Sequence, residues 1–307
     1  MSSSLLRRGL LLLTVMLLAG CNTVVMNPSG FVAAQQGRLI VVATVLMLII
    51  IIPVIACTIF FAWRYRKSNT AATYDPEWNH STQLELLIWG APLLIIIALG
   101  LVTWISTHTL DPYRPLQRLD AERAIPAGAK TLVVEVVALD WKWLFIYPEQ
   151  GIATVNELVV PVDVPVRFKI TASTVMNSFY IPALAGQIYA MPGMETKLHA
   201  VINQAGVYDG FSANYSGAGF SDMRFKFHGV SPTAFADWVK AAKTGGGALQ
   251  RAEYLLLEQP SVRAPVSRYG SVAPNLYDAI LNRCVGAGAV CMKTMMTGEH
   301  AGMHHHE

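Results

Sequence analysis

Two long stretches without a charged side chain dominate the first third of the sequence. Leu39 to Trp63 is a run of 25 residues, sixteen of them Leu, Ile, Val or Phe, and Leu86 to Thr107 is a run of 22. A helix needs about 20 apolar residues to cross a hydrocarbon core, so transmembrane helices are predicted over 39–63 and 86–107. At roughly 0.3 to 0.6 kcal/mol per large apolar residue, the first gains on the order of 5 to 10 kcal/mol on insertion. Pro53 is expected to kink its helix rather than break it, Pro92 falls early in the second, where proline disturbs few hydrogen bonds, and Cys57 reads as a small packed apolar residue. The loop between the runs begins Arg64-Tyr65-Arg66-Lys67, against a single Arg38 before the first. The positive-inside rule therefore places that loop in the cytoplasm and both outer ends, with everything after Thr107, on the far side. The whole chain is 53% hydrophobic and 14% charged, where a soluble domain has about 25% charged residues. Its formal charge of +3, with no basic stripe carrying interleaved aromatics, excludes nucleic acid as a partner.

Residues 1–20 have the form of an export signal: Arg7-Arg8, an apolar stretch from Leu10 to Leu18, then small residues before Cys21. Leu18-Ala19-Gly20-Cys21 resembles a bacterial lipobox, which implies cleavage before Cys21 and lipid attachment to it. A plain signal peptide, or a short first span with an incidental Cys, is the other reading.

Residues 111–307 carry 17 acidic and 17 basic side chains, so the exported part has no strong field for steering a charged partner. From Thr131 onward, short β-rich runs alternate with turn residues: Thr131 to Ala138, Trp141 to Tyr147, Asn156 to Val160, Val164 to Thr171, Ser178 to Ile181, Lys197 to Asn203, Val207 to Ser212 and Arg224 to Phe227. That spacing predicts a β-sandwich or barrel over 111–231. Beyond Ser231-Pro232 the pattern turns helical, over Ala234–Lys243, Ala248–Leu257 and Asn275–Arg283, so 232–290 is expected as a helical extension and 291–307 as a Met/His-rich tail.

Two spans followed by an exported sandwich resemble subunit II of the haem-copper respiratory oxidases, whose outer domain is a cupredoxin fold. Trp141-Lys142-Trp143, Val175-Met176-Asn177-Ser178-Phe179 and Met191-Pro192-Gly193 resemble its aromatic strand, ligand strand and following turn. The run from Tyr208 to Met223 is similar to the loop that, in the cytochrome c oxidases, reads Cys-x3-Cys-x3-His-x2-Met and binds a dinuclear copper centre. Here the upstream His position holds Asn177, the two Cys positions Ser212 and Ser216, the Glu between them Asn214, and the second His Phe220; Met223 alone is retained. Electron-sharing copper needs thiolate and imidazole ligands, so no metal and no cofactor are expected in this chain.

This pattern of loss resembles the cytochrome bo-type ubiquinol oxidases. A quinol arrives within the membrane and needs no outer metal relay, so the resemblance implies a membrane-anchored all-β protein: a two-helix transmembrane hairpin with a copper-free periplasmic cupredoxin-like sandwich. It implies a subunit of a proton-pumping quinol:oxygen oxidoreductase, with haems and copper in subunit I, subunits I, III and IV as partners, ubiquinol as substrate of the complex, and no cytochrome c. Trp141 falls on the electron-entry tryptophan of the copper-binding relatives and is read here as a core aromatic. Glu85, seven residues before Pro92, matches a glutamate at the mouth of a proton-uptake channel; apart from the resemblance it reads as a carboxylate at a helix N-terminus. The alternatives are a cytochrome c oxidase subunit with a degenerate site, or a tethered periplasmic binding protein acting alone. Cys284 and Cys291 either pair or remain free, and the tail's Met and His residues read as a plain polar end in preference to a copper-capturing one.

Overall fold

The computed structural model describes residues 23–73 and 75–295, which fall into two compact units: Gln35–Arg114, and 23–34 together with 115–295. The signal segment, Cys21 and the tail beyond residue 295 lie outside the described residues.

Helix α1 runs Phe31–Arg64 and α2 runs Thr82–Thr109, each continuing through its proline. Both exceed the charge-free runs. At about 1.5 Å per residue, α1 is roughly 50 Å long, well beyond a hydrocarbon core of about 30 Å. Their apolar windows have no buried residue, as expected of surfaces left for lipid or partner chains. Helix α2 starts where the side chain of Ser81 accepts from Leu84 N at 3.5 Å, which satisfies one of the free amides of its first turn.

The sandwich has a seven-stranded and a five-stranded sheet. The strands are β1 Leu132–Leu139, β2 Lys142–Tyr147, β3 Ile152–Val155, β4 Glu157–Pro161, β5 Val166–Ala172, β6 Asn177–Tyr180, β7 Ile188–Ala190, β8 Thr196–Ala200, β9 Gly206–Ser212, β10 Arg224–Val230, β11 Gly247–Leu249 and β12 Ser267–Val272. Their orders are β11-β12-β3-β2-β1-β5-β8 and β4-β10-β9-β6-β7. Between the sheets, Trp143, Phe145, Phe168, Phe179 and Phe225 form an aromatic cluster with ring centroids 5.0 to 6.4 Å apart. The alternate residues of the larger sheet, Val137, Leu139, Leu144, Ile146, Ala153 and Val155, build a second core with Leu249, Tyr254, Leu276, Tyr277 and Ile280. Burial on both faces explains why β1 reads as a nearly unbroken apolar run.

All eight expected strands are present. The region expected as a helical extension does contain α3 Pro232–Gly245, α4 Arg251–Glu258 and α5 Leu276–Leu281, but it also contributes β11 and β12. Those two strands are short and weakly apolar; they form because β3 presents an open edge, against which Ser267, Arg268 and Tyr269 pair.

The segment before α1 is bound to the sandwich. Ser29 N and Gly30 N donate to Ala183 O at 3.0 and 2.8 Å, and Asn203 N donates to Ser29 O at 2.9 Å. A Cβ on Gly30 would lie 2.6 Å from Leu184 O and 2.9 Å from Val201 O, so this close backbone approach requires glycine.

Candidate functional site

The residues that the resemblance sets at copper-ligand positions gather at one end of the sandwich, on β6, β9 and the loop from β9 to β10. Ser212 Oγ donates to Asn177 Oδ1 at 3.0 Å, and Asn177 Nδ2 donates to Val175 O at 3.2 Å. Asn214 Nδ2 donates to Met176 O at 3.3 Å. Met223 is fully buried, and its carbonyl accepts from Ser212 N at 3.1 Å. Phe220 packs edge-on against Tyr215 at 5.6 Å. Ser216 contributes its carbonyl to Trp141 Nε1 at 3.0 Å, while its buried hydroxyl has no partner. Asn177, Ser212 and Asn214 therefore converge, Met223 joins through its backbone, and the side chains of Ser216 and Phe220 stand apart.

This donor set does not fit a dinuclear copper centre. The Ser212 hydroxyl already donates to the Asn177 amide oxygen, a serine hydroxyl stays protonated near neutral pH, and phenylalanine offers no lone pair to a metal. Among the described residues, no group of three His, Cys, Asp or Glu is placed to hold a metal ion.

Trp141 is not a core residue. It is half-buried, with φ at 65° in the left-handed region. Its indole lies so close over the loop that a Cβ on Gly219 would be 2.4 Å from the ring, and one on Gly217 3.2 Å. The core tryptophan is Trp143. The turn decides the difference: alternation along a continuous strand would put both rings on one face, but Trp141 lies before β2 with a left-handed backbone, whereas Trp143 points between the sheets.

In the helical unit, Glu85 lies in the first turn of α2, where its Oε1 is 2.7 Å from His80 Nδ1. His80 Nε2 is in turn 3.2 Å from Thr82 Oγ1. Both His80 and Glu85 are exposed.

Comparison with known proteins places this arrangement. Residues 147–230 match the family Cytochrome C oxidase subunit II, periplasmic domain, and residues 243–288 match the COX Aromatic Rich Motif. The cytochrome bo(3) ubiquinol oxidase subunit 2 of Pseudomonas putida is 51% identical over 89% of this chain and 84% of its own length. The ubiquinol oxidase subunit 2 of Acetobacter aceti is 50% identical over 87% of this chain and 85% of its own. This chain belongs to the quinol oxidase subunit 2 family. Among solved structures, the periplasmic domain of subunit II of cytochrome oxidase of Bradyrhizobium japonicum is 25% identical over 37% of this chain and 94% of that one, with a TM-score of 0.36.

Within this family member, sequence reasoning missed His80, the turn residue Asp140 and Lys142 at the start of β2. The five-residue spacing from His80 to Glu85, across a serine cap, was the available signal for the first. For Lys142 there was none, because a lysine on a strand ordinarily faces water; here it is 2% exposed. Cys284 and Cys291 form a disulfide, so the open choice between paired and free thiols is settled as paired. Cys57 lies exposed on α1.

Proposed function

We propose that the chain is the second subunit of a proton-translocating ubiquinol oxidase of the aerobic respiratory chain, in which two quinols are oxidised and one oxygen is reduced to two waters. The observation that carries this is the Asn177–Ser212 hydrogen bond where a copper-binding relative would need imidazole and thiolate. A chain without that relay suits an electron donor that reaches a buried haem from within the membrane. Haems, active-site copper and quinol chemistry belong to subunit I; subunits III and IV complete the assembly. This chain supplies the outer domain and two spans in the bacterial inner membrane, with the loop from Arg64 in the cytoplasm and the sandwich in the periplasm. Cys21 is its lipid attachment site, which mass spectrometry of the mature N-terminus tests: an unmodified Met1 removes the assignment.

Glu85 is proposed to admit protons from the cytoplasm. Its place in the first turn of α2 and its exposed pairing with His80 support that role. Glu85→Gln is expected to slow turnover several-fold with assembly intact; unchanged turnover and proton uptake contradict it. The function of the whole is tested by purification in mild detergent, with oxygen uptake followed on a short-chain quinol and on reduced cytochrome c. Uptake with quinol alone is expected. Uptake with cytochrome c alone overturns the proposal in favour of a cytochrome c oxidase, and isolation as a lone chain would favour a stand-alone binding protein.

A further inference from the structure

The aromatic-rich extension touches more than the sheet face it covers. Its segment from Gln259 to Ala264 reaches the loop end of the sandwich at three places. Ser261 N donates to Asp140 O at 3.2 Å. The Lys142 ammonium, 2% exposed, donates to Gln259 O at 2.7 Å and to Ser261 Oγ at 2.6 Å. Arg263 Nε lies 3.2 Å from Asp222 Oδ1, within the loop itself. Asn156 adds a tie further along, donating to Ala264 O at 2.8 Å while its Oδ1 accepts from Trp143 N at 2.9 Å.

The residue between Asp140 and Lys142 is Trp141, whose indole adds a contact at the middle of the loop. A bulky side chain in the left-handed region is unfavourable, so its conformation has to be imposed by its neighbours. On either side of it Asp140 and Lys142 are each bound to the extension, and Trp141 N closes the turn on Leu139 O at 2.8 Å. The indole then covers Gly217 and Gly219 and holds Ser216 O. On the loop itself, side-chain hydrogen bonds to the sandwich come from Ser212 and Asn214; Ser216 Oγ has none. Metal binding couples to the ordering of its ligand loop; without that contribution, this loop relies on its backbone bonds and on contacts from outside it.

We infer that the aromatic-rich extension takes the place of a metal centre in fixing the 212–223 loop, with Lys142 and Trp141 as the residues that transmit its hold. The function assigned to residues 259–264 is thus positioning. The surface being positioned includes Tyr215, 75% exposed, next in sequence to Asn214, which is bound to the carbonyl of the exposed Met176. Burial pushes the Lys142 ammonium below its ordinary value, with Asp140 pulling it back up; Gln259 O and Ser261 Oγ on the extension accept two of its donors. The inference rests on the copper-free reading of the loop.

Hydrogen exchange read by mass spectrometry on the purified complex tests it. The amides to follow are Ser212, Ala213, Phe220, Asp222 and Met223, which donate to Met223 O, Ser178 O, Gly217 O, Gly219 O and Phe220 O. Lys142→Met is expected to speed exchange across 212–223 at least tenfold while β5 and β8 exchange as before. Trp141→Phe, which keeps a ring but loses the bond to Ser216 O, is expected to loosen the loop with 259–261 still protected. If Lys142→Met does not assemble, Trp141→Phe and Ser261→Ala carry the test. Loop exchange unchanged in the variants that assemble overturns the inference. A wild-type complex with copper beyond that of its partner subunit, lost on Ser212→Ala, removes the copper-free reading instead, whatever the exchange shows.

Discussion

Glu135 and Glu157 are two carboxylates on the same sandwich whose titration is moved in opposite directions. Glu135 on β1 is largely buried, and burial is the main reason its carboxyl is pushed up to about 7; Lys169 opposes this from 3.9 Å, and Glu195 and Asp278 reinforce it. For Glu157 burial is again the largest single influence and pushes upward, yet the net shift is downward. The difference is geometry. Arg268 donates to both Glu157 oxygens at 2.7 Å, and Trp238 Nε1 adds a bond at 3.4 Å, whereas no such fork reaches Glu135. A raised carboxyl destabilises the fold as it ionises, so the cost of Glu135 grows as pH rises from the ordinary value of 4.5 to about 7. Glu135→Gln is therefore expected to raise the melting temperature above pH 7, by an amount equivalent to as much as about 3 kcal/mol at about 1.4 kcal/mol per pKa unit. The gain should vanish below about pH 4, where both side chains are neutral. A melting series against pH checks this, and equal gains at pH 4 and pH 8 would contradict it. The contribution of Glu157 has the opposite sign, present above the ordinary carboxylate range and lost as pH falls below it.

At the scale of elements, the attachments of the sandwich carry the testable content. Gly30 is where a side chain has no room, so Gly30→Val is expected to cost about 1 to 3 kcal/mol by forcing backbone apart. It should also expose Ser29 and Asn203 amides to exchange. A melting point within error of the parent would contradict the close approach. The disulfide between Cys284 and Cys291 closes a loop with a sequence separation of 7. By chain entropy that stabilises by about 2 to 3 kcal/mol, and Cys284→Ser with Cys291→Ser is expected to lower the melting temperature accordingly while the cores of β1, β2 and β5 remain protected. The strands legible in sequence were those whose side chains alternate or are apolar on both faces, such as β1 and β5. Ile152–Val155, Ile188–Ala190, Gly247–Leu249 and Ser267–Val272 were not legible, since three or four residues carry too little pattern and β12 takes its conformation from the edge it pairs with.

For the whole molecule, the extension is a third layer. Removing residues beyond 231 would bare Val137, Leu139, Leu144, Ile146, Ala153 and Val155, an apolar face of the kind that drives aggregation. Such a truncation is expected to abolish accumulation of the assembled complex in the membrane, measured by subunit content after mild solubilisation; a normal yield would show that the sandwich needs no cover. The sequence alone determined the two spans, the sandwich, and the absence of thiolate and imidazole from residues 177 and 212–223, because hydropathy, strand period and ligand chemistry are properties of residues and their order. It also supplied Glu85 and both halves of the disulfide as candidates. Only the tertiary structure decided that Trp141 covers glycines rather than entering the core, that Lys142 is buried against Gln259 and Ser261, that Cys284 meets Cys291, and that a region read as an appendage completes the sheet. Those outcomes depend on contacts between segments up to more than a hundred residues apart, which packing and backbone hydrogen-bond pairing select and local pattern does not encode.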